Sequence, residues 1–310
     1  MSIPSAGKPG RPSMPKKTIC CIGPTVPDGM HSMLLDGFRR LSAERYNKAI
    51  KFLDDQNDPW FYRRAKRADL VLVFTNQGTK WRMIRDIAKV HDRWAVVDGS
   101  DYSDFSGIKT ISPESAPLIF KREYHPDTHD AMPNVLPLSF SIKSNWVAGR
   151  SAKFLDYVFA GQMYGRRNAF LRVVESSIGS PHSVLSPGGL NGGQYWAMLD
   201  SAKIGISLRG AGWDCVRHWE ILSRRGCLLM LEDDPKVRMS DPPLIDGVHC
   251  AMFRRPAELV EKLKYYLEND SERRRVAKAG RAFAFEHHSS AVRAKHVLRT
   301  CLNHFRTPQA

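Results

Sequence analysis

Ser201–Asp233, SAKIGISLRGAGWDCVRHWEILSRRGCLLMLED, is the stretch that decides the fold. Its first apolar run, Ile204 to Leu208, has the length of a strand. The loop Arg209-Gly-Ala-Gly-Trp-Asp214 follows, and the pattern from Cys215 predicts about three turns of helix. Gly226 stops that helix, and a second apolar run, Cys227 to Leu231, begins at once. Strand, loop, helix and strand in this order predict a βαβ unit closed by a right-handed crossover.

Ligands of such units lie just beyond the carboxyl end of the first strand. Gly210 and Gly212 let the backbone approach a ligand closely, and the helix start offers free N–H groups and a positive dipole end to a phosphate. Arg209 supplies a guanidinium fork for a diphosphate, Asp214 fits the N-cap, and Trp213 can line the pocket. Arg217 and Glu220, three apart, share one helix face, with the cation placed for phosphates and the carboxylate for ribose hydroxyls. Plainer readings stand beside these: Arg217 and Glu220 as a surface ion pair, Trp213 and Trp219 as core, Arg224 and Arg225 as complements to the helix C-terminus.

Outward from this unit, the first half alternates strands and helices. KTICCIG, Lys17 to Gly23, reads as a strand, and Met30 to Ala43 as a helix with one apolar face. Ala49 to Arg67 reads as helical or irregular. ADLVLVFT, Ala68 to Thr75, is a continuous apolar run suited to a buried parallel strand. Thr79 to His91 reads as a helix and Trp94 to Val97 as another strand. LIFKREYH, Leu118 to His125, is a strand entering a polar cluster, and NVLPLSFSI, Asn134 to Ile142, precedes a polar linker. Alternation of this kind argues for a doubly wound α/β domain. On the rim after the first strand, Asp28 and His31 are either acid–base candidates or a helix cap and a solvent-facing imidazole.

In the second half, LDYVFAG, Leu155 to Gly161, is a strand, and Gly188 to Gly193 a flexible loop without the spacing of a dinucleotide fingerprint. Val248 to Phe253 reads as a short strand. Helices are predicted from Pro256, over Ser271 to Phe285, and over Ala291 to Phe305. The expected division is a basic tail over 1–16, a first domain over 17–145, a second over 154–290, and a last helix over 291–310.

Composition narrows the class. With 42% hydrophobic and 25% charged residues the chain is a soluble globular type, and no apolar run has the length of a membrane span. Six cysteines include no C-x-x-C pair and no zinc-finger spacing, which fits a reducing cytoplasm. The net charge of +15 predicts an anionic partner: a nucleotide sugar, a lipid diphosphate, a phospholipid surface or nucleic acid. Asp98, Asp101 and Asp104 lack the spacing of a calcium loop, and Glu232-Asp233-Asp234 contains no D-x-D, so no metal is expected.

The glycine loop, RHWE, RRGCLLMLED and RRPAELVEKLKYYLENDSERRRVAKAGRAFAFEHHSS together resemble the C-terminal half of a GT-B glycosyltransferase. The likeness is to the group 1 glycosyltransferases of the CgeB-like type, with a looser similarity to exostosin-like domains. It covers about the last 150 residues well, and it implies two Rossmann-like doubly wound α/β domains facing a central cleft. It further implies that Glu220, opening an E-x-x-x-x-x-G segment, contacts the donor ribose. Gln162, Arg166 and Arg167, after the first strand of the second domain, would face the donor phosphates. Lys121, Arg122 and Glu123 would lie near the cleft as acceptor or phosphate contacts, or else on an exposed edge strand. The last helix would cross back over the first domain.

One position departs from the pattern: Gly212 stands where many relatives carry an acid, eight residues before the ribose glutamate. The implied activity is transfer of a sugar from a nucleotide diphosphate sugar, with no other cofactor and no metal. Arg209, Gly210, Gly212, Trp213, Asp214, Arg217, Glu220, Gln162 and Arg166 would form the donor site. Asp28, His31, Asp101 and Glu123 are the acid–base candidates. The acceptor is a glycan, a lipid-linked or another anionic molecule, with nucleic acid not favoured, and the expected location is the cytoplasm or the inner membrane face. The rival is a non-catalytic anion- or nucleic-acid-binding protein on the same fold. A dehydrogenase or epimerase of Rossmann type lacks its fingerprint.

Overall fold

The structure, a computed structural model, describes residues 17–23, 29–43, 50–53, 60–75, 81–105, 115–146, 148–149, 151–163, 165–185 and 190–306. Asp28 lies outside them. Six strands, β1 (Lys17–Ile22), β2 (Ile50–Leu53), β3 (Leu70–Thr75), β4 (Trp94–Asp98), β5 (Ile119–Lys121) and β6 (Val135–Pro137), form a parallel sheet in the order β2-β1-β3-β4-β5-β6. Five more, β7 (Leu155–Phe159), β8 (Ser183–Leu185), β9 (Ala202–Ser207), β10 (Leu228–Glu232) and β11 (Ala251–Phe253), form a second parallel sheet in the order β11-β10-β9-β7-β8.

Both sheets are doubly wound, and the alternation of side chains shows it. In the first sheet Ile19, Leu72 and Phe74 point to the face covered by Met33, Leu34 and Phe38 of α1 (Gly29–Ala43). Cys20, Val71 and Val73 point to the other face, with Ala65 of α2 (Phe61–Ala65) and Ile87 of α3 (Trp81–Ala88). The short α4 (Pro126–His129) lies between β5 and β6. In the second sheet Tyr157, Phe159, Ile204 and Met230 pack with Phe170 of α5 (Gly165–Ser177) and Leu259 of α8 (Pro256–Glu268). Val158 and Leu229 face Met198 of α6 (Gly192–Ser201) and Trp219 of α7 (Val216–Ser223). One apolar cluster runs through both sheets by way of Phe140, Trp213 and Trp219, so the cores are continuous.

The last two helices, α9 (Asp270–His288) and α10 (Ser290–His304), close the chain, and α10 lies along α1. The approach is close: a Cβ at Gly37 would stand 2.0 Å from the Ser290 carbonyl oxygen. Asp36 beside it accepts from Ser290 Oγ at 2.5 Å and from Ser144 Oγ at 2.6 Å. Gly37→Ala is therefore expected to destabilise by roughly 1–3 kcal/mol, the usual cost of overpacking, in a denaturant melt. A fully wild-type midpoint would show that α10 does not hold this position.

Three local expectations are corrected. Residues 50–53 form an edge strand within a stretch read as helical or irregular, because a four-residue strand such as IKFL leaves little periodicity to detect. Leu118–His125 is no exposed edge: β5 is interior, and only Ile119–Lys121 joins the ladder before the Arg122 and Glu123 side chains turn to residues 213–214 beyond β9. Gly192 and Gly193 begin a helix, not a loop, because Asn191 and Gln194 form a reciprocal capping box at 2.9 and 3.0 Å.

Candidate functional site

The loop 208–215 runs from the end of β9 to α7 and is held from several sides. His218 anchors it from within. Its Nε2 contacts the Trp213 carbonyl at 2.8 Å and its Nδ1 the Ser207 hydroxyl at 2.8 Å. A carbonyl only accepts, so the Nε2 proton is fixed and Nδ1 accepts from Ser207. Burial pushes the imidazole down to about 3, so it stays neutral. Arg167, buried at the start of α5, donates to the carbonyls of Arg209 (2.9 Å), Gln162 (2.9 Å) and Leu208 (3.3 Å). Arg217 donates to the carbonyls of Ala160 (2.6 Å) and Leu208 (3.4 Å). These two guanidiniums fasten the ends of β7 and β9 to the loop.

The helix start is not capped as the sequence suggests. The N-cap is Cys215, without a side-chain cap hydrogen bond. Asp214 is fully buried and points to the first domain, accepting from the Phe140 amide (2.6 Å) and Trp219 Nε1 (2.9 Å). Burial raises its carboxyl to about 7, against the opposing pull of Arg122. Those two donors use the oxygens a cap would need. Burial likewise lifts the Cys215 thiol to about 11, which keeps it protonated beside Gly210.

The amides of Gly210, Trp213 and Asp214 are also spoken for. Trp213 and Asp214 donate to the two carboxylate oxygens of Glu123, at 2.9 and 3.1 Å, and Gly210 donates to the Gly212 carbonyl at 2.9 Å. The expected cradle of backbone N–H groups thus holds a side-chain carboxylate from the first domain. Arg122 beside it donates to the Asp214 carbonyl at 2.5 Å, pairs with Asp101, and lies 4.7 Å over the Phe140 ring. Burial raises the Glu123 carboxyl, and Arg122 with the two amides pulls it back.

On the other side of the loop is a cavity of about 290 Å³, at the carboxyl ends of β9 and β10. Arg166, Arg167, Arg209, Gly210 and Glu232 line it. The Arg209 backbone is committed, its amide donating to Glu232 at 2.8 Å. Its guanidinium makes no hydrogen bond to the described residues and lies 4.6 Å over Trp213. Half-exposed Arg166 pairs with buried Glu232 and stacks 5.0 Å from Phe170. The pocket is therefore cationic, with two guanidiniums held by aromatic faces. A larger cavity of about 410 Å³, by β11 and α8, is lined by the carboxylates Asp233, Asp246, Glu258 and Glu261 against the cations Arg254 and Lys262, which pair with Asp233 and Asp246, so its walls do not favour a diphosphate.

Glu220, on the next turn of α7, is partly buried and accepts from the Tyr195 hydroxyl at 2.5 Å. Burial raises its carboxyl while Tyr195 and Arg217 lower it. Its Oε1 makes no hydrogen bond among the described residues, leaving an acceptor for a ligand hydroxyl.

The other candidates divide. His31 packs at the end of β1, 2% exposed and 4.4 Å from the Phe74 ring. Lys121 is fully buried against Asp98 at 2.7 Å, so it cannot touch an acceptor from where it stands. Asp101 keeps an exposed carboxylate on the rim, and Gln162 is exposed beside the cavity. No group of three or more His, Cys, Asp or Glu side chains among the described residues is arranged for a metal ion. Sequence reasoning missed Tyr195, His218 and Glu232. Only Glu232, ending a strand next to the glycine loop, carried a signal that its position could have supplied.

Residues 155–299 match the family described as Glycosyl transferase-like. No curated protein matches significantly. Among solved structures, a glycosyltransferase from Rickettsia africae is 8% identical and superposes with a TM-score of 0.60, over 94% of this chain and 99% of that one. HepE from Anabaena, solved with UDP and glucose, is 9% identical, with a TM-score of 0.58 over 93% of this chain and 100% of that one. A DNA-modifying β-glucosyltransferase is 10% identical, with a TM-score of 0.51 over 92% and 99%. At such identities the likeness is one of fold, and the fold is GT-B.

Proposed function

We propose that this chain, a GT-B glycosyltransferase by its fold and by the family of its C-terminal half, transfers a sugar from a nucleoside diphosphate sugar held in the Arg166–Arg209 cavity. The observation that supports this reading is a cationic cavity at the end of β9, the strand that leads by a short loop into α7, on which Glu220 keeps one carboxylate oxygen without a hydrogen bond among the described residues. A diphosphate fits beside Arg209 and Arg166, and ribose hydroxyls fit Glu220. The structure that shares the fold and holds UDP and glucose makes the same ligand class the first to try.

In the transfer, the acceptor oxygen bonds to the anomeric carbon while the bond from that carbon to the diphosphate oxygen breaks. The diphosphate leaves with the electron pair, and arginines placed at that oxygen stabilise it electrostatically. This reading assigns the leaving-group charge to arginine and needs no metal or further cofactor. The acceptor's proton needs a base within hydrogen-bond reach. Asp101 is the exposed one among the described candidates, whereas His31 and Glu123 are enclosed. The acceptor, a glycan or a lipid-linked or other anionic molecule, would enter between the sheets from the first domain. The location that fits is the cytoplasm or the inner membrane face, and no described helix is long and apolar enough to cross a membrane.

A second reading, an anion- or nucleic-acid-binding protein or a transferase acting on nucleic acid, draws on two observations. The net charge is +15, and two acid–base candidates are buried. A thermal-shift screen with UDP, GDP, CDP and ADP and their sugars, with and without EDTA, separates the two. Saturable stabilisation by one diphosphate that persists in EDTA is the expected result, growing as RT ln(1 + [L]/Kd). No shift with any of them, together with salt-dependent binding of DNA or RNA, would replace the first reading by the second.

A further inference from the structure

The first domain reaches across the cleft and takes hold of the loop that carries Arg209. Glu123 gives one carboxylate oxygen to the Trp213 amide and the other to the Asp214 amide. Arg122 holds the Asp214 carbonyl and extends to Asp101 on the acceptor-side rim. Both side chains are at most 3% exposed, so these bonds form away from competing water. Gly212 makes the approach feasible: a Cβ there would stand 2.4 Å from Glu123 Oε1 and 2.7 Å from its carboxyl carbon.

The loop is short, and its two faces are linked through Trp213. Its amide is fixed by Glu123, its carbonyl by His218, and its ring supports the Arg209 guanidinium 4.6 Å away. Moving that amide moves the ring on which the arginine rests. Resting on the donor-site reading above, we propose that Arg122 and Glu123 are positioning residues which set donor affinity from the acceptor domain. They act on the nucleotide through Trp213 and Arg209 and touch neither the reacting atoms nor the diphosphate. The chain from Asp101 through Arg122 and Glu123 to Trp213 and Arg209 gives the acceptor side a physical hold on the donor side, made of packed, hydrogen-bonded groups.

Two variants break this hold differently. Glu123→Gln keeps the shape but leaves one acceptor oxygen for two amides. Gly212→Ala keeps both partners and drives the carboxylate out by contact. UDP affinity is measured by calorimetry below the melting range, or affinity for GDP, CDP or ADP if one of these is the diphosphate that stabilises the wild type. Each single variant is expected to raise Kd about tenfold, and the double variant no more than either alone, since both remove the same interaction. Val276→Ala, which leaves a void in the second domain's core at a residue that neither belongs to the loop nor lines the cavity, serves as the stability control: it should lower the melting point and leave Kd unchanged.

Wild-type Kd in both single variants, or effects that multiply to about a hundredfold in the double, would overturn the positioning role while leaving the donor site standing. A Kd that follows the melting point in Val276→Ala as it does in the loop variants would also overturn it. A wild-type protein that binds none of the four diphosphates would overturn the donor reading, and this role with it.

Discussion

Arg209→Ala is expected to weaken nucleoside diphosphate binding by roughly ten- to a hundredfold while leaving the melting point within a degree or two of wild type. The two halves of this residue do different work. Its amide and carbonyl are built into the fold through Glu232 and Arg167, and an alanine keeps both bonds. Its guanidinium has no hydrogen-bond partner among the described residues and rests on Trp213 in the cavity wall. Charge-assisted bonds from a guanidinium to a phosphate contribute about 1.5–3 kcal/mol, and each 1.4 kcal/mol is tenfold in affinity. Arg209→Lys should recover only part of the loss, because an ammonium cannot present the planar fork. Arg167 is the contrast, since its guanidinium is spent on the Leu208 and Arg209 carbonyls of the loop and on that of Gln162 after β7, and its replacement should lower stability first. Calorimetry with UDP, GDP, CDP and ADP on Arg209→Ala decides the point. Wild-type affinity would remove this cavity as the diphosphate site.

How much of this was legible in the chain depends on the range of the interactions. β3, β9 and β10 announce themselves, because a strand covered on both faces must be a continuous apolar run. The glycine loop between β9 and α7 and the turn at Gly226 follow from local spacing as well. The edge strands β2 and β8 were lost because four- and three-residue segments carry too little pattern. α6 was hidden by its two leading glycines, although Asn191 and Gln194 hold the capping-box spacing.

The site is less legible than the fold, for a physical reason. Glycines after a strand predict free amides at a helix start, and that prediction is local. What fills those amides is Glu123, about ninety residues away in sequence, and no spacing rule reaches that far. Asp214 shows the same limit. As the polar residue before a helix it reads as a cap, yet Phe140 of the other domain competes for its carboxylate and wins. Arg217 and Glu220, three apart on α7, are likewise divided by longer contacts, the first bound to β7's end and the second to Tyr195.

Lys121→Met is expected to lower stability by about 3–5 kcal/mol, the cost of leaving one member of a buried ion pair alone. For a domain of this size that is roughly 10 °C or more in melting temperature. Lys121 and Asp98 end neighbouring strands, β5 and β4, and are paired in register at 2.7 Å with no exposed surface on either side chain. The ammonium also donates to the Tyr102 carbonyl at 2.5 Å. Asp98 is further held by Thr75 Oγ1 and the Ser100 amide, each at 3.1 Å. Methionine fills most of the lysine's volume but strands the carboxylate in the sheet. Asp98→Asn in the same chain removes that charge, so the double variant should regain most of the loss, the signature of a coupled pair. An acceptor contact would behave otherwise. It would leave the melting curve of Lys121→Met at the wild-type position and show its effect only in turnover, and neither would Asp98→Asn restore anything. A denaturant melt of the two single variants and the double therefore separates a strut of the first sheet from a residue of the cleft. The burial of both partners argues for the strut.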